Sequence, residues 1–174
     1  MGVGMVAGLA GVAVMTAAEK IEQAVTHRPD AMVPGRAAER LLGLSPADGD
    51  ALRRRMWGMH VGIAAGVGAQ RGVMAFAGLR GPWASAMFTV VRLTVDQTVE
   101  NWTGVGAPPW TWPRDELLVD VAGKAVYAFA TGAVADRLAA ASGVGPGQRH
   151  AELAGGRRVH DVGPVPGGRT YPAR

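Results

Sequence analysis

Residues 1–18 read MGVGMVAGLAGVAVMTAA, and none of these side chains is charged; Glu19 is the first that is. A run of this kind belongs in lipid or in a protein interior. Extended to Val25 it predicts a helix over about 3–25. At ~1.5 Å per residue such a helix is near the lower limit for crossing ~30 Å of hydrocarbon. A cleaved signal peptide needs a basic n-region, and none precedes this run. Gly4 and Gly8 form a small-xxx-small pair, a spacing that lets helix backbones approach closely in lipid.

Three more weakly charged stretches follow. After Arg53-Arg54-Arg55, the second runs over about 56–79, with Gly58, Gly62 and Gly66 at i, i+4 and i+8. That stripe offers a smooth face for helix packing. Gly81-Pro82 marks a turn, and the third helix is predicted over about 83–99. A loop rich in tryptophan and proline, Asn101 to Pro113, suits the headgroup level, where indole rings partition. The fourth helix is predicted over about 117–138. Between the first two, Pro29 and Pro34 break the helix, and residues 35–44 read as a short amphipathic helix. On that reading Ala37, Leu41, Leu42 and Leu44 face headgroups or the bundle, with Arg36, Glu39 and Arg40 toward water. Ser45 and Pro46 read as N-cap and first position of the next helix. Residues 142–174 are rich in Gly, Pro and Arg without periodicity and read as a disordered basic tail.

The expected fold class is therefore all-α. It is a four-helix transmembrane bundle over residues 1–141, followed by the tail. A soluble helical bundle is the alternative. An internal duplication is also suggested. Gly66-x-x-Ala69-x-Arg71 matches Gly132-x-x-Ala135-x-Arg137, and Glu22-Gln-x-Val25 matches Asp96-Gln-x-Val99, which would make a 2+2 repeat.

Composition narrows the chemistry. The 174 residues carry a net charge of +4 with 16 arginines and 2 lysines, but the arginines are not interleaved with aromatics as a base-stacking surface requires. No nucleic-acid partner is expected. There is no cysteine, which excludes disulfides and thiolate chemistry, and the four histidines lack metal-ligand spacing. No metal or cofactor is expected. Ser85, Thr89 and Thr94 have no nucleophile context, and the glycines form no nucleotide fingerprint. The expectation is a chain without enzymatic activity.

The informative residues are ionisable groups within or beside apolar helices: Glu19, His60, Arg92, Asp96, Glu100, Asp120 and Lys124, with Arg71 a further case. A charge at the bilayer centre costs about 2.5–3.5 kcal/mol on insertion scales. Arg92/Asp96 and Asp120/Lys124 each sit at i, i+4, so each is arranged for compensation within one helix. Two readings of this candidate intramembrane polar network stand: a polar relay or substrate path at the bundle centre, or charge pairs that lock helix packing or lie at the interface.

From Gly104 onward, the pattern Gly104-x-x-x-Pro108-Pro109-x-x-x-Pro113-x-x-Glu116-x-x-x-Asp120-x-x-x-Lys124-x-x-Tyr127 resembles the last loop and helix of the YagU-type bacterial inner-membrane proteins. Glu19 to Pro34 and His60 fit the same family. The resemblance covers about residues 1–138. It implies a multi-pass protein of the bacterial cytoplasmic membrane with cytoplasmic termini and no defined reaction. The family's helix-four His is replaced by Lys124 or Gly123, and its second acid by Asp120, so a His-based chemistry is not carried over. Arginines fall on both sides of such a bundle, and the positive-inside rule gives no orientation of its own. The expected partners are the lipid bilayer and a second copy or another membrane subunit, met through the Gly58/Gly62/Gly66 face. The alternative function is a small transporter, channel or proton-handling protein using the intramembrane carboxylates.

Overall fold

In a computed structural model, residues 2–154 are described, with side chains through His150; Met1 and residues 155–174 lie outside the described residues. Six α-helices follow one another: α1 (Gly2–Thr26), α2 (Val33–Leu42), α3 (Gly49–Ala77), α4 (Pro82–Trp102), α5 (Arg114–Ala141) and α6 (Pro146–Ala154). A 3₁₀ turn at Pro109–Thr111 interrupts the loop between α4 and α5, and no strand occurs among the described residues.

The helix ends follow local chemistry. α3 stops at Gly78, whose φ of 111° few residues other than glycine adopt, and whose N–H reaches the Met74 and Ala75 carbonyls. α4 starts with Pro82 in its first turn, where the missing N–H leaves no bond unmade. α5 carries Asp115 and Glu116 in its first turn, against the positive end of the helix dipole.

Glycines decide how α1 docks. A Cβ built on Gly4 would lie 2.6 Å from the Gly68 carbonyl oxygen, and one on Gly8 would lie 2.3 Å from that of Ala64. The two backbones therefore touch, antiparallel, along Gly4 and Gly8 on one side and Ala64, Gly68 and Gly72 on the other. Gly11 makes the matching approach to α5 at Tyr127 and Thr131. α5 runs parallel to α3, with Tyr127 beside Ala64 and Asp136 beside Arg71. α4 returns antiparallel to α5, with Phe88 against Tyr127 and Asp96 against Lys124. Val12, Met15, Ala64, Val67, Phe88, Tyr127 and Ala128 form the main core, and Ala7, Ala75, Ala135 and Ala139 form a second cluster at the α1 N-terminal end.

The Gly58/Gly62/Gly66 stripe is left open within the described chain: a Cβ at any of the three would meet nothing within 4 Å. The packing face lies two residues on, at Gly68 and Gly72, hence roughly 200° around the helix. The two halves are not equivalent. α1 packs along both α3 and α5, whereas α4 packs on α5 and barely meets α3. Arg71 is fully buried, while its repeat counterpart Arg137 is exposed.

α2 departs from its expected faces at one residue. Ala37 is buried with Gly35 and Ala38, and Arg40, Leu41, Leu42 and Leu44 are exposed, but Glu39, expected toward water, is buried. The reason is polar: Glu39 accepts hydrogen bonds from Arg36 (3.1 Å), the Ala47 N–H (3.0 Å) and Arg55 (2.7 Å). Burial pushes the Glu39 carboxyl up, but these donors outweigh it and hold it below the ordinary glutamate value. The same contacts satisfy the loop before α3, since Arg55 and Arg36 also donate to the Ser45 and Ala47 carbonyls. α3 accordingly starts at Gly49 after Asp48, not at Pro46.

The tail, expected to lack structure from residue 142, opens with α6. There the Gly145 N–H donates to Gln148, which is fully buried, and a Cβ at Gly145 would collide with the Phe76 carbonyl. The rest of that expectation lies outside the described residues. Two helices, α1 and α5, are long and apolar enough to cross a membrane by length and composition. α3 and α4 are long but carry Arg53–Arg55 and Arg71, and Arg92, Asp96 and Glu100 respectively.

The α1–α3 contact makes a clear prediction. Gly68→Val is expected to destabilise the fold by about 1–3 kcal/mol or more, because backbone on the far side leaves no room to repack. Gly62→Val, at a face with no neighbour within the described chain, is expected to cost clearly less. Melting temperatures of the two purified variants compare them, and equal losses would refute the assignment of the faces.

Candidate functional site

The residues singled out by charge in an apolar setting converge. Glu19 comes from α1, His60 from α3, Arg92, Asp96 and Glu100 from successive turns of α4, and Asp120 and Lys124 from α5. All seven line one cavity of about 890 Å³ at the end of the bundle where α1 finishes. Both i, i+4 pairs form. Arg92 Nε lies 3.1 Å from Asp96 Oδ2, and Lys124 contacts Asp120. Lys124 also reaches across to Asp96 Oδ2 at 3.5 Å, so Asp96 joins α4 to α5. Arg92 and Asp96 are only 4% and 6% exposed, which places this ion pair inside the bundle rather than at its surface.

The arginine has a second partner. Its guanidinium lies 4.9 Å from the centroid of the Tyr127 ring, a cation–π contact, while the Tyr127 hydroxyl donates to the Ala64 carbonyl at 2.5 Å. His60 stands edge-on to Trp57, with ring centroids 5.8 Å apart. At the mouth, Arg28 lies 2.9 Å from Glu22 and 4.0 Å from Glu19, and Lys20 pairs with Asp30. The hydrogen bonds that Arg28 donates to Glu22 raise its pKa more than burial lowers it. The Glu100 carboxylate makes no hydrogen bond or ion pair among the described residues; the loop at Gly106 lies beside it.

A second charged layer, at the opposite end, was only half foreseen. Arg71 is fully buried and lies 2.8 Å from Asp136, whose other oxygen accepts the Gly81 N–H at 2.7 Å. Arg71 Nη1 donates to the Leu79 carbonyl at 3.3 Å. Gly132 leaves room for the guanidinium, since a Cβ there would come within 2.2 Å of Ser85 Oγ and 3.1 Å of Arg71 Nη2. Lys124 and Asp136 are ~18 Å apart along α5, and Val67, Phe88 and Ala128 fill the interval. The cavity is therefore closed at its inner end by apolar side chains.

Glu22, Arg28 and Tyr127 also shape the site, and Asp136 completes the distal pair. Glu22 had a usable signal, one turn beyond Glu19 on α1. Asp136 had none, because its partner Arg71 lies 65 positions away. Among the described residues no group of three or more His, Asp or Glu side chains is arranged to hold a metal ion. No family model matches this chain, and no curated protein or solved structure is similar to it.

Asp96 is the most consequential group in the layer. Among the described residues, Asp96→Asn takes from Arg92 its only carboxylate partner and from Lys124 one of two. The expected loss is about 3–5 kcal/mol of stability, as for a buried charge left alone. Asp120→Asn, at a more exposed position, should cost clearly less. Thermal unfolding of both variants in detergent decides it, and a larger loss for Asp120→Asn would contradict the geometry.

Proposed function

We infer that this chain is a multi-pass protein of the bacterial cytoplasmic membrane, its four long helices crossing the bilayer. It acts without catalysing a reaction, as a self-associating subunit of a membrane assembly. The observation that carries this reading is the distribution of polarity. Arg71, Arg92, Asp96 and Lys124 are buried, while Val6, Val14, Val73, Phe76, Val90 and Phe129 are at least 46% exposed. In water that arrangement is unfavourable on both counts. In lipid it is favourable, because apolar residues meet acyl chains and charges pair inside.

α4 supports the same reading. The charges that lower its mean hydropathy, Arg92 and Asp96, point inward, and its ends carry the exposed Trp83 and Trp102. Nineteen residues separate them, ~28 Å of helix against ~30 Å of hydrocarbon, with indoles suited to both interfaces. The likeness of Gly104–Tyr127 to YagU-type proteins agrees with this membrane. The open face of α3 at Gly58, Gly62 and Gly66 supports self-association, since no part of the described chain covers it.

One observation favours a second reading, a small transporter or proton-handling protein: the convergence of Asp96, Glu100, Asp120 and His60 on a single cavity. The apolar layer beneath it means that passage would need the helices to move.

Alkaline carbonate washing of membranes from expressing cells tests the membrane reading. The chain is expected in the pellet, and detergent is expected to release an oligomer that Gly62→Leu converts to a folded monomer. Recovery in the supernatant would overturn the membrane assignment, and a monomeric wild type would overturn self-association.

A further inference from the structure

We propose that the cavity at the α1 C-terminal end binds a small organic cation, held by the Glu100 carboxylate, which has no ion-pair partner among the described residues. The inference rests on the second reading above, a cavity that handles a solute, and it names the solute's chemistry.

Seven carboxylates and four Lys or Arg cations line the cavity, an excess of three negative charges. Each of the four cations already has a carboxylate: Lys20 has Asp30, Arg28 has Glu22, Arg92 has Asp96, and Lys124 has Asp120. Two acids, Glu100 and Glu116, have no ion-pair partner among the described residues. Glu116 is exposed in the first turn of α5, where water and the helix dipole satisfy it. Glu100 is half-buried and faces the cavity with no donor of its own. A carboxylate in that position is stabilised by a cation entering from outside.

The walls specify what kind. Met15, Met56, Met59 and Ile63 supply a soft apolar surface, and Trp57 and Trp112 add indole rings. A lone carboxylate beside thioethers and indoles suits an alkylammonium, whose charge is spread over carbon. It does not suit a metal ion, which needs several oxygen or nitrogen ligands; no such group exists among the described residues. The volume of about 890 Å³ lies within the range of small-molecule sites. One feature would suit an anion: Arg92 Nε and Nη1 lack a hydrogen-bond acceptor among the described residues. That guanidinium lies over Tyr127 and against Asp96, so an anion there would face Asp96 as well.

The test uses the full chain in detergent, with benzyltrimethylammonium as probe and benzoate as its anionic counterpart, followed by calorimetry and tryptophan fluorescence. The wild type is expected to bind benzyltrimethylammonium saturably and benzoate at least about tenfold more weakly. Glu100→Gln should weaken the cation by about tenfold or more, while Glu100→Asp, which keeps the charge, should stay within about fivefold. Asp50→Asn, an exposed change outside the cavity, should alter nothing. Absence of saturable binding, equal affinity in Glu100→Gln, or tighter binding of benzoate would each overturn the proposal. A chain that stays in carbonate-washed membranes yet gives one of those results loses only this inference; a chain that leaves them loses the membrane reading independently.

Discussion

A charged side chain in the middle of a helix bundle must find its counter-charge without leaving the bundle, and Asp96 meets that demand twice. It holds Arg92 along its own helix and Lys124 across to α5. Arg92 in turn leans on Tyr127, and the Tyr127 hydroxyl reaches the Ala64 carbonyl on α3. Three helices are thus connected through one carboxylate and one aromatic ring. At the far end Arg71 and Asp136 do the equivalent for α3 and α5, with the α3–α4 turn tied in through the Gly81 N–H. The glycine contact of α1 closes the fourth side. Isolated surface pairs contribute little, but these pairs are buried and share partners, so removing one member strands the others.

This distribution shapes what the molecule can do. Charge sits in two layers with apolar side chains between them, and one layer opens into a cavity while the other does not. Because α4 rests on α5 and barely meets α3, the cavity has α3 and α4 as loosely joined walls. α2 bridges the start of α3 and α4 on that side, fixed by Glu39 and its three donors. Movement of α4 against α3 therefore disturbs few apolar contacts, whereas movement of α1 against α3 would break a backbone-to-backbone fit.

Much of this was legible from residue spacing. The long helices announced themselves by apolar runs between glycine and proline breaks, and their limits moved by a few residues, with the start of α3 moving furthest. The seven ionisable residues were recognisable because such a group in an apolar run is conspicuous, and the i, i+4 spacings made two of the pairs readable in advance. Other features depend on the third dimension. Asp136 looked unremarkable because Arg71 is distant in sequence. Glu39 looked solvated because the carbonyl and N–H groups it organises belong to a loop whose path no local pattern specifies. Which glycine face of α3 receives α1 was not readable, because Gly58, Gly62 and Gly66 and the Gly68–Gly72 pair have the same four-residue spacing; only the position of α1 tells them apart.

The proposed membrane placement puts lipid around these helices, including α4, whose inward charges hide its apolar exterior. The chain contains no cysteine, so a single one introduced at Val90, outward-facing in the middle of α4, is a unique reporter. In sealed membranes Val90→Cys is expected to resist a membrane-impermeant maleimide and to react only after denaturation in detergent. Ready labelling in intact membranes, matching that of a cysteine placed at Ser45 in the open loop, would contradict it.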